Sequence, residues 1–486
     1  MEGLTLLAAI ALPIAAGALL PVVRWKGRAA RDAYILCLTI LTTVLATVAI
    51  FGNFPRLSLI QFNDRLSFAL KLDGIGRLFA GLIALLWPLT TLYALGYMRG
   101  TQKEISFFAF FLMSYGITLG IAMSANLVTL YIFYEMLSLS TLPLVMQKGD
   151  SGSIRAGLKY LYYSLGGAAF AFIGLVYLVY FGGTTNFVPG GLFRGVAVEH
   201  TAQLRLGYLL CFLGFSVKAA VFPVHGWLPT ASVAPTPVTA LLHAVAVVKS
   251  GVFAILRVTY FSFGALVIRA SYAQYIPLAL TCFTIVFGCS MALKEKHLKR
   301  RLAYSTVSNL SYILFGALLL TGQGLAAGLL HLVFHALMKI TLFLIAGVYN
   351  DRAGIHEVGE LHGIGRDWPV LSAAFALGSL AMTGIPPFIG FISKWALAQA
   401  AVLSGGLLPY LGLTALLVSA LLTGIYLLVP STFIFIGRRP GNAPGTKPVE
   451  TEIRISLAAL TALMLAAGFF SRPLVDFITR AASGLV

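Results

Sequence analysis

The sequence has little charge. Only 10% of its 486 residues are Asp, Glu, Lys or Arg, whereas 59% are hydrophobic and the mean hydropathy is +0.91. An ordinary soluble domain has about 25% charged residues, so a soluble protein of this length could not cover its surface with so few charges. The same composition excludes disordered chains, coiled coils, collagen and disulfide-rich scaffolds. The sequence therefore predicts a polytopic membrane protein.

Clustered cysteines and cofactor motifs are also missing. The four cysteines are scattered through apolar runs without a CxxC pair, namely Cys37, Cys211, Cys282 and Cys289. Fe–S and structural zinc sites need clustered thiolates, so we interpret these cysteines as small buried hydrophobes. Neither a phosphate-binding P-loop nor a dinucleotide-binding glycine motif is present. These absences lead us to expect no metal site and no cofactor site in this chain. The +18 net charge fits the basic loops of a membrane protein, so we also expect no nucleic-acid partner.

Apolar runs take up nearly the whole chain. A bilayer core of about 30 Å needs about 20 apolar residues in a helix, and fourteen runs of this kind predict an all-α protein with about 14 transmembrane helices. They are centred near residues 13, 43, 86, 115, 136, 168, 213, 247, 283, 311, 338, 385, 422 and 463. Residues 3–23 follow Glu2 and precede the first positive charges, which favours an uncleaved span over a signal peptide. Residues 55–72 alternate apolar and polar residues in places, which predicts a short extracytoplasmic hairpin.

The basic residues predict the orientation of these spans. Twenty Lys and Arg residues, Arg438 among them, lie in odd-numbered loops, whereas ten lie in even-numbered loops and at the C-terminal end. The positive-inside rule then places the odd loops in the cytoplasm and both termini outside. We expect an integral protein of a prokaryotic cytoplasmic membrane.

A few ionisable residues fall inside the predicted spans, where each charge costs about 2.5–3.5 kcal/mol. Glu135 is the only carboxylate deep in an apolar run. Four lysines and three histidines join it: Lys218, Lys249, Lys339, Lys394, His243, His331 and His335. Taken singly, a buried lysine can extend to the interface and a buried histidine can be a satisfied core residue. Together they have the pattern of an intramembrane proton relay.

Helical spacing groups some of these residues. His331, His335 and Lys339 recur every four residues and line one helical face. The other face is predicted to be apolar and to meet lipid or packed helices; it comprises Leu330, Val333, Leu337 and Phe343. His243 and Lys249 are six residues apart, so they point in different directions on a regular helix.

Two spans contain helix breakers next to a lysine. Pro223, Gly226 and Pro229 follow Lys218, with His225 among them, and Gly384, Pro386, Pro387 and Gly390 precede Lys394. Proline removes a helical hydrogen bond, and non-helical backbone at membrane depth must line protein or water. The two spans are five helices apart, which predicts an inverted repeat. We divide the chain into residues 1–98 (helices 1–3 and the hairpin), 105–262 (helices 4–8), 272–437 (helices 9–13) and 450–486 (helix 14 and the C-terminus).

Several segments also resemble one protein family. They are LYIFYEMLSLSTLPLV, GFSVKAAVFPVHGWLPTASVAPTPVTALLHAVAVVKSGVF, KRRLAYSTVSNLSYILFGAL, HLVFHALMKITLFLIAG and GIPPFIGFISKW. The chain is similar over about residues 70–430 to the antiporter-like subunits of respiratory complex I, of Mrp-type Na⁺/H⁺ antiporters and of membrane-bound nickel–iron hydrogenases. The resemblance implies fourteen helices, two inverted five-helix repeats, and interruptions of helices seven and twelve. It also implies the shorter type of subunit, without a long lateral helix.

The resemblance assigns the intramembrane residues to a relay. It implies the fifth-helix glutamate at Glu135, the seventh-helix lysine at Lys218 and the twelfth-helix exit residue at Lys394. The eighth-helix pair falls on His243 and Lys249, and the central group on His331, His335 and Lys339. His225 and Lys299 are further candidates for proton uptake or coupling. Two positions depart from the family: His297 stands where Asp is frequent, and Trp395 where some relatives have an acid.

The resulting hypothesis is an H⁺-translocating subunit without its own energy source. Burial favours a neutral lysine and a nearby carboxylate favours a charged one, so Glu135 and Lys218 form an adjustable pair. The implied partners are other membrane subunits, paralogous antiporter-like chains among them, and redox subunits with Fe–S or Ni–Fe centres elsewhere in the complex. A complex I-like assembly, a hydrogenase and an Mrp antiporter remain open, as does Na⁺ beside H⁺. A stand-alone solute transporter, a quinone-site subunit and a structural scaffold are the alternatives.

Overall fold

The structure, a computed structural model, describes residues 3–193, 200–437, 439 and 445–485; Glu2 and Arg438 lie outside these ranges. The chain is mostly helical. The α-helices are α1 Leu4–Leu19, α2 Arg28–Phe51, α3 Gly74–Tyr97, α4 Glu104–Ala122, α5 Leu127–Val145, α6 Ser151–Gly182, α7 Thr201–Ser216, α8 Trp227–Thr230, α9 Thr236–Ala244, α10 Val247–Arg257, α11 Ala265–Ile268, α12 Tyr272–Lys294, α13 Leu298–Leu318, α14 Gly322–Ala353, α15 Pro369–Thr383, α16 Ile389–Ser404, α17 Leu407–Thr423, α18 Val429–Phe435, α19 Thr451–Phe469 and α20 Arg472–Ser483.

Many of these helices have the length and composition of membrane spans. Among the described residues, ten are long and apolar enough to cross a bilayer. They are α2 to α6, the segment Thr236–Phe263, α12, α14, the segment Leu407–Phe435 and α19. Three shorter apolar helices, α1, α15 and α16, lie beside them. The segments Val258–Phe263 and Gly424–Leu428 are π-helical turns that continue α10 and α17.

The predicted hairpin within residues 55–72 is confirmed. Strands β1 (Leu57–Gln61) and β2 (Ser67–Leu70) pair antiparallel. The Asn126 side-chain amide donates to the Ser67 carbonyl over 2.9 Å, and the Ala69 amide donates to the Thr129 hydroxyl over 2.9 Å. These bonds attach β2 to the first turn of α5.

Helix α14 lies at the centre of the molecule. The Thr321 hydroxyl accepts from the Gly324 amide at its start, and Gly354 ends it with a left-handed φ of 67°. All of its most apolar 18-residue window is buried, compared with a third of the corresponding window of α6. It packs against α9, α13, α15, α16, α19 and α20. Its apolar face therefore meets other helices.

Helix ends fall near the predicted breakers. Helix α7 ends at Ser216, and α8 begins only at Trp227, whose indole donates to the Val217 carbonyl over 2.6 Å. The Thr284 hydroxyl of α12 accepts from the Phe222 amide over 3.1 Å within this connection. Helix α15 ends at Thr383, before α16 begins at Ile389. An amide and a carbonyl that have no helical partner in the connection after α7 are thus hydrogen-bonded to side chains of α12 and α8.

A further interruption was not expected from the sequence. Two residues separate α9 from α10, and the first of them, Val245, has the non-helical angles φ −139° and ψ −58°. His243 and Lys249 consequently lie on separate helices. Their six-residue spacing does not define their relative direction, because that argument assumed one regular helix.

Candidate functional site

Glu135 and Lys218 form an ion pair at one end of the site. The Lys218 ammonium lies 4.0 Å from Glu135 Oε1, and it donates to the Tyr134 carbonyl and sits over the Tyr134 ring. The Lys218 side chain is 1% exposed, whereas that of Glu135 is 24% exposed. Glu135 Oε1 has no hydrogen-bond donor among the described residues. A buried cation is therefore paired with a carboxylate that reaches the protein surface.

A glycine brings the helix of the next lysine against the backbone beside this pair. A Cβ atom on Gly251 would lie 2.4 Å from the Ala219 amide nitrogen, so α10 packs directly on the backbone that follows Lys218. Two residues earlier, Lys249 is fully buried and its Nζ lies 3.0 Å from His335 Nδ1. This contact joins α10 to α14.

The histidines of α14 continue the line. The rings of His335 and His331 are stacked with their centroids 5.9 Å apart. His331 is held at both ring nitrogens, with Nδ1 2.9 Å from Ser393 Oγ and Nε2 3.2 Å from Asn309 Oδ1. His335 Nε2 has no partner among the described residues. Such a buried ring nitrogen is where an ordered water is expected.

Lys339 and His243 both lie next to the ring of Phe343. Lys339 Nζ donates to the Leu302 carbonyl over 2.9 Å and to the Ser305 hydroxyl, and lies 5.8 Å from the Phe343 ring centroid. The His243 ring stacks on Phe343 with centroids 4.5 Å apart. The prediction that Phe343 belongs to the apolar face was wrong. Residue 343 continues the four-residue spacing of His331, His335 and Lys339.

Lys394 is held at the end of α15. Its Nζ donates to the Met382 carbonyl over 2.7 Å and to the Thr383 carbonyl over 3.0 Å. These carbonyls belong to the last turn of a helix, where they lack helical partners and attract a cation. Lys394 is half-buried, and its Nζ lies 5.6 Å from the Tyr312 ring centroid.

The two candidates for uptake or coupling lie apart from these contacts. The half-buried His225 ring packs against Phe287, with centroids 4.9 Å apart. The Lys299 ammonium donates to the Thr236 hydroxyl over 2.7 Å, and that hydroxyl lies 3.3 Å from Asp351 Oδ2. Lys299 is therefore part of a separate polar group at the start of α9 and the end of α14.

The sequence analysis missed a buried arginine. Arg257, counted there as a loop residue, is 1% exposed at the end of α10 and donates to both carboxylate oxygens of Asp73. Its guanidinium also lies 4.5 to 4.9 Å from the ring centroids of Phe187, Phe253 and Phe261. Burial opposes ionisation of Asp73, but the adjacent guanidinium outweighs it and lowers the pKa of this carboxyl. No sequence signal connected these residues, which are 184 positions apart.

Within the described residues, no three His, Cys, Asp or Glu side chains are grouped so that they could hold a metal ion.

The surroundings of Cys289 differ from the prediction. Its interpretation as a small hydrophobe implied apolar neighbours, but its thiol lies among hydroxyl groups. Its thiol lies 2.8 Å from the Ser419 hydroxyl and 3.2 Å from the Ser308 hydroxyl. The polar partners of the line, such as Asn309 and Ser393, were not predicted because serine and asparagine are common in packed helices.

Comparisons with known proteins identify relatives of this chain. A family model described as NADH:quinone oxidoreductase/Mrp antiporter, transmembrane, matches residues 124–423. NADH-quinone oxidoreductase subunit N of Desulforudis audaxviator is 33% identical over 392 residues, which are 80% of this chain and 75% of that protein. An Na⁺/H⁺ antiporter subunit of Alkalihalophilus pseudofirmus is 31% identical over 438 residues, 83% of this chain. The match covers 53% of that antiporter protein, so this chain spans about half its length.

Solved structures show the same fold. A chain of the membrane-bound sulfane sulfur reductase, an archaeal respiratory membrane complex, superimposes with a TM-score of 0.88 at 24% identity, covering 99% of this chain and 97% of the other. A chain of the Mrp complex from Dietzia sp. DQ12-45-1b gives 0.86 at 22% identity, covering 100% and 97%. A chain of respiratory complex I from Thermus thermophilus gives 0.82 at 24% identity, covering 99% and 100%. The chain is an integral membrane protein that belongs to the family of antiporter-like membrane subunits found in NADH:quinone oxidoreductase and Mrp antiporter complexes.

Proposed function

We propose that this chain is an H⁺-translocating subunit of a multisubunit membrane complex. The observation that carries the proposal is a set of ionisable side chains within the helices, most of them fully buried. Its members are Glu135, Lys218, His243, Lys249, His331, His335, Lys339 and Lys394. Buried lysines and histidines cost free energy in a membrane protein, so they are rare there and usually mark proton or ion pathways. A structural scaffold has no need of them.

The proposed path begins at the ion pair. While Glu135 stays close, its negative charge favours the protonated form of Lys218. When the pair separates, Lys218 releases its proton toward Lys249, whose Nζ lies 3.0 Å from His335 Nδ1. The proton then passes through the histidines of α14, with His243 beside them, to Lys339 and leaves through Lys394. Histidine suits these steps because its ordinary pKa of about 6.5 allows both protonation states near neutral pH.

The proposed topology has fourteen membrane crossings and both termini outside. In this scheme α7 with α8, and α15 with α16, are single interrupted spans, and helices 4–8 and 9–13 are inverted repeats. The helix ends at Ser216 and Thr383, each followed by a connection with helix breakers, support this arrangement. Interruption points in transporters are where ions meet unpaired backbone groups, as Lys394 does here.

Other subunits must supply the driving energy. The relatives and structural neighbours come from multisubunit membrane complexes, so we propose neighbouring antiporter-like subunits in a prokaryotic cytoplasmic membrane. The energy then comes from a redox reaction in partner subunits or from a Na⁺ gradient. We favour H⁺ as the ion passed along the line. A carboxylate-rich cage would suit Na⁺ better, and among the described residues only Glu135 brings a carboxylate to this line.

The test uses the intact complex purified through a tag on this chain. Its co-purifying subunits identify the driving reaction, which then energises everted membrane vesicles while dye quenching reports internal acidification. We expect Lys218→Ala and Glu135→Gln each to abolish acidification while the complex still assembles. Lys26→Ala, at an exposed lysine, is the matched control and retains full acidification. Normal acidification by an assembled Lys218→Ala complex would refute the proposal.

A further inference from the structure

The last two groups of this path, Lys339 and Lys394, are not hydrogen-bonded to each other. Lys339 donates to a backbone carbonyl and to Ser305, and Lys394 donates to two backbone carbonyls. A carbonyl accepts a hydrogen bond but has no proton to pass on. The two lysines therefore need groups that both accept and donate. A buried polar cluster between α12, α13 and α17 provides them.

We define the hydroxyl cluster as seven side chains, each 1% exposed or less. Its members are Cys289 of α12, Ser305, Ser308 and Tyr312 of α13, Ser419 and Thr423 of α17, and Tyr426 of the π-helical turn. Buried hydroxyl groups are costly unless they bond to one another or to the backbone. The cluster was not predicted, because its members come from three distant parts of the sequence.

The thiol of Cys289 is at the centre of the hydroxyl cluster. Its Sγ lies 2.8 Å from Ser419 Oγ and 3.8 Å from the Tyr426 hydroxyl. Ser308 and Thr423 are at 3.2 Å and 3.8 Å from the same sulfur. A thiol both donates and accepts a weak hydrogen bond. Cys289 thus connects the π-helical turn with α17 and α13.

Two members have their protons committed to the backbone. The Ser308 hydroxyl donates to the Ile285 carbonyl over 2.8 Å, and the Thr423 hydroxyl donates to the Ser419 carbonyl over 2.7 Å. Inside the cluster they act only as acceptors that orient their neighbours. Among the described residues, the Cys289, Ser419 and Tyr426 side chains make no hydrogen bond to a backbone carbonyl. Their protons remain within the cluster.

The ends of the hydroxyl cluster meet the two lysines. Ser305 accepts from the Lys339 ammonium, and three residues further along the same face of α13 the Ser308 hydroxyl lies 3.2 Å from that of Ser419. At the other end, Tyr312 follows one turn after Ser308 on α13, and its ring centroid is 5.6 Å from Lys394 Nζ. The Tyr312 hydroxyl has no hydrogen-bond partner among the described residues. The cluster therefore reaches from the Lys339 contact at Ser305 to the Tyr312 ring beside Lys394, and the unpartnered Tyr312 hydroxyl is a place where an ordered water is expected.

The π-helical turn positions Tyr426. A π-turn inserts one residue into a helix and often marks a functional site. The Tyr426 carbonyl accepts from Arg301 Nη1 over 3.1 Å, and Arg301 also donates to the Glu295 carbonyl over 2.8 Å. The guanidinium thereby stabilises the turn that directs the Tyr426 hydroxyl toward α12 and α13.

We propose that the hydroxyl cluster, together with ordered waters between Ser305 and Tyr426 and on either side of Tyr312, is the proton wire from Lys339 to Lys394, through Ser305, Tyr426, Cys289, Ser419 and Tyr312. This inference rests on the proposed function and names further relay residues for it. As the Lys339 ammonium gives its proton to the Ser305 oxygen, each hydroxyl, thiol or water passes its own proton to the next acceptor. Tyr312 passes the last proton to neutral Lys394. One proton moves in net, no electron is transferred, and rotation of the hydroxyl groups restores the wire.

The test removes single links in the intact complex and measures vesicle acidification together with the rate of the driving reaction. We expect Cys289→Ala, Ser419→Ala and Tyr426→Phe each to lower acidification about tenfold or more, because each removes a proton-transfer group. Cys289→Ser restores a donor and acceptor of similar size and retains most of it. The matched control is Tyr208→Phe, which removes a buried hydroxyl 3.0 Å from Thr259 outside the cluster and leaves acidification unchanged.

Several outcomes would overturn the wire. Normal acidification by Ser419→Ala and Tyr426→Phe, with Lys218→Ala inactive, refutes the wire and leaves the proposed function standing. Normal acidification by Lys218→Ala refutes the proposed function itself. If Cys289→Ser is as impaired in acidification as Cys289→Ala, the cluster serves packing and not proton transfer. The same conclusion follows if acidification falls only in proportion to the amount of assembled complex. Tyr426→Phe nearly preserves side-chain shape, so it separates a lost proton link from a failure to fold.

Discussion

Apart from Lys249, which meets His335, the buried cations compared in the two halves of the molecule have different kinds of partner. In the first half, residues 104–268, Lys218 pairs with the Glu135 carboxylate and Arg257 with the Asp73 carboxylate. In the second half, residues 272–435, Lys339, Lys394 and Arg301 donate to backbone carbonyls and, for Lys339, to a hydroxyl. Among the described residues, these three cations have no carboxylate within 4.0 Å.

Carboxylate partners and neutral dipoles suit different steps of proton transport. A carboxylate favours the charged form of a buried base, and its effect changes steeply with distance in a medium of low dielectric constant. Carbonyl and hydroxyl dipoles stabilise an ammonium group without adding an opposite charge. The first half is therefore suited to load and release a proton as one pair moves. The second half is suited to conduct that proton through fixed groups.

The largest expected effect concerns the arginine pair of the first half. Asp73→Ala leaves the Arg257 guanidinium buried without its carboxylate, and loss of one partner from a buried pair costs about 3–5 kcal/mol. We expect a lower thermal unfolding midpoint of the detergent-solubilised complex and a lower yield. Asp64→Ala, at an exposed aspartate of the hairpin region, is the control. Equal stability of the two variants would show that the Asp73 pair contributes nothing.

The contact between the halves should have the next largest effect. Lys249→Met removes the group that meets His335 and should lower H⁺ translocation about 100-fold, the size expected for loss of a proton-transfer group. Vesicle acidification per turnover of the driving reaction measures this loss. Lys447→Met, at an exposed lysine, should have no effect. If Lys249→Met translocates normally, the halves are not joined through His335.

The smallest effect is expected at Arg301 of the second half. Arg301→Gln removes charge-assisted bonds to carbonyls and should cost about 2 kcal/mol of stability, because hydrogen bonds to charged groups contribute about 1.5–3 kcal/mol. No carboxylate is left unpaired, so the loss should be smaller than for Asp73→Ala. Thermal unfolding of the two variants in one detergent makes the comparison. A larger loss for Arg301→Gln would reverse the proposed contrast between the halves.

The sequence predicted local features correctly where they depend on the residues of one segment alone. The alternation within residues 55–72 predicted the hairpin, because strand periodicity needs no distant partner. The four-residue spacing of His331, His335 and Lys339 predicted one face of α14. The same periodicity was misread for Phe343, which continues that face. The interruption after Ala244 has no proline or glycine to announce it, so it was not predicted.

Contacts between helices were the part that the sequence could not supply. Arg257 comes at the end of an apolar run, where a loop was expected, but packing buries it beside Asp73 from the start of α3. Cys289 has the sequence context of an apolar helix residue, but α13 and α17 place hydroxyl groups around its sulfur. These positions depend on how helices pack, and the spacing along one helix carries no information about its neighbours.

The sequence by itself determined the membrane location and the ionisable side chains of the proposed relay, because hydropathy and the cost of buried charge act on each segment alone. The family followed from the resemblance of several sequence segments. Only the tertiary structure decided the partners of those side chains. It placed Lys249 beside His335, gave Lys218 a carboxylate and Lys394 two carbonyls, and gathered the hydroxyl cluster between the two lysines. Packing decides these contacts because helices distant in sequence approach only when their surfaces fit.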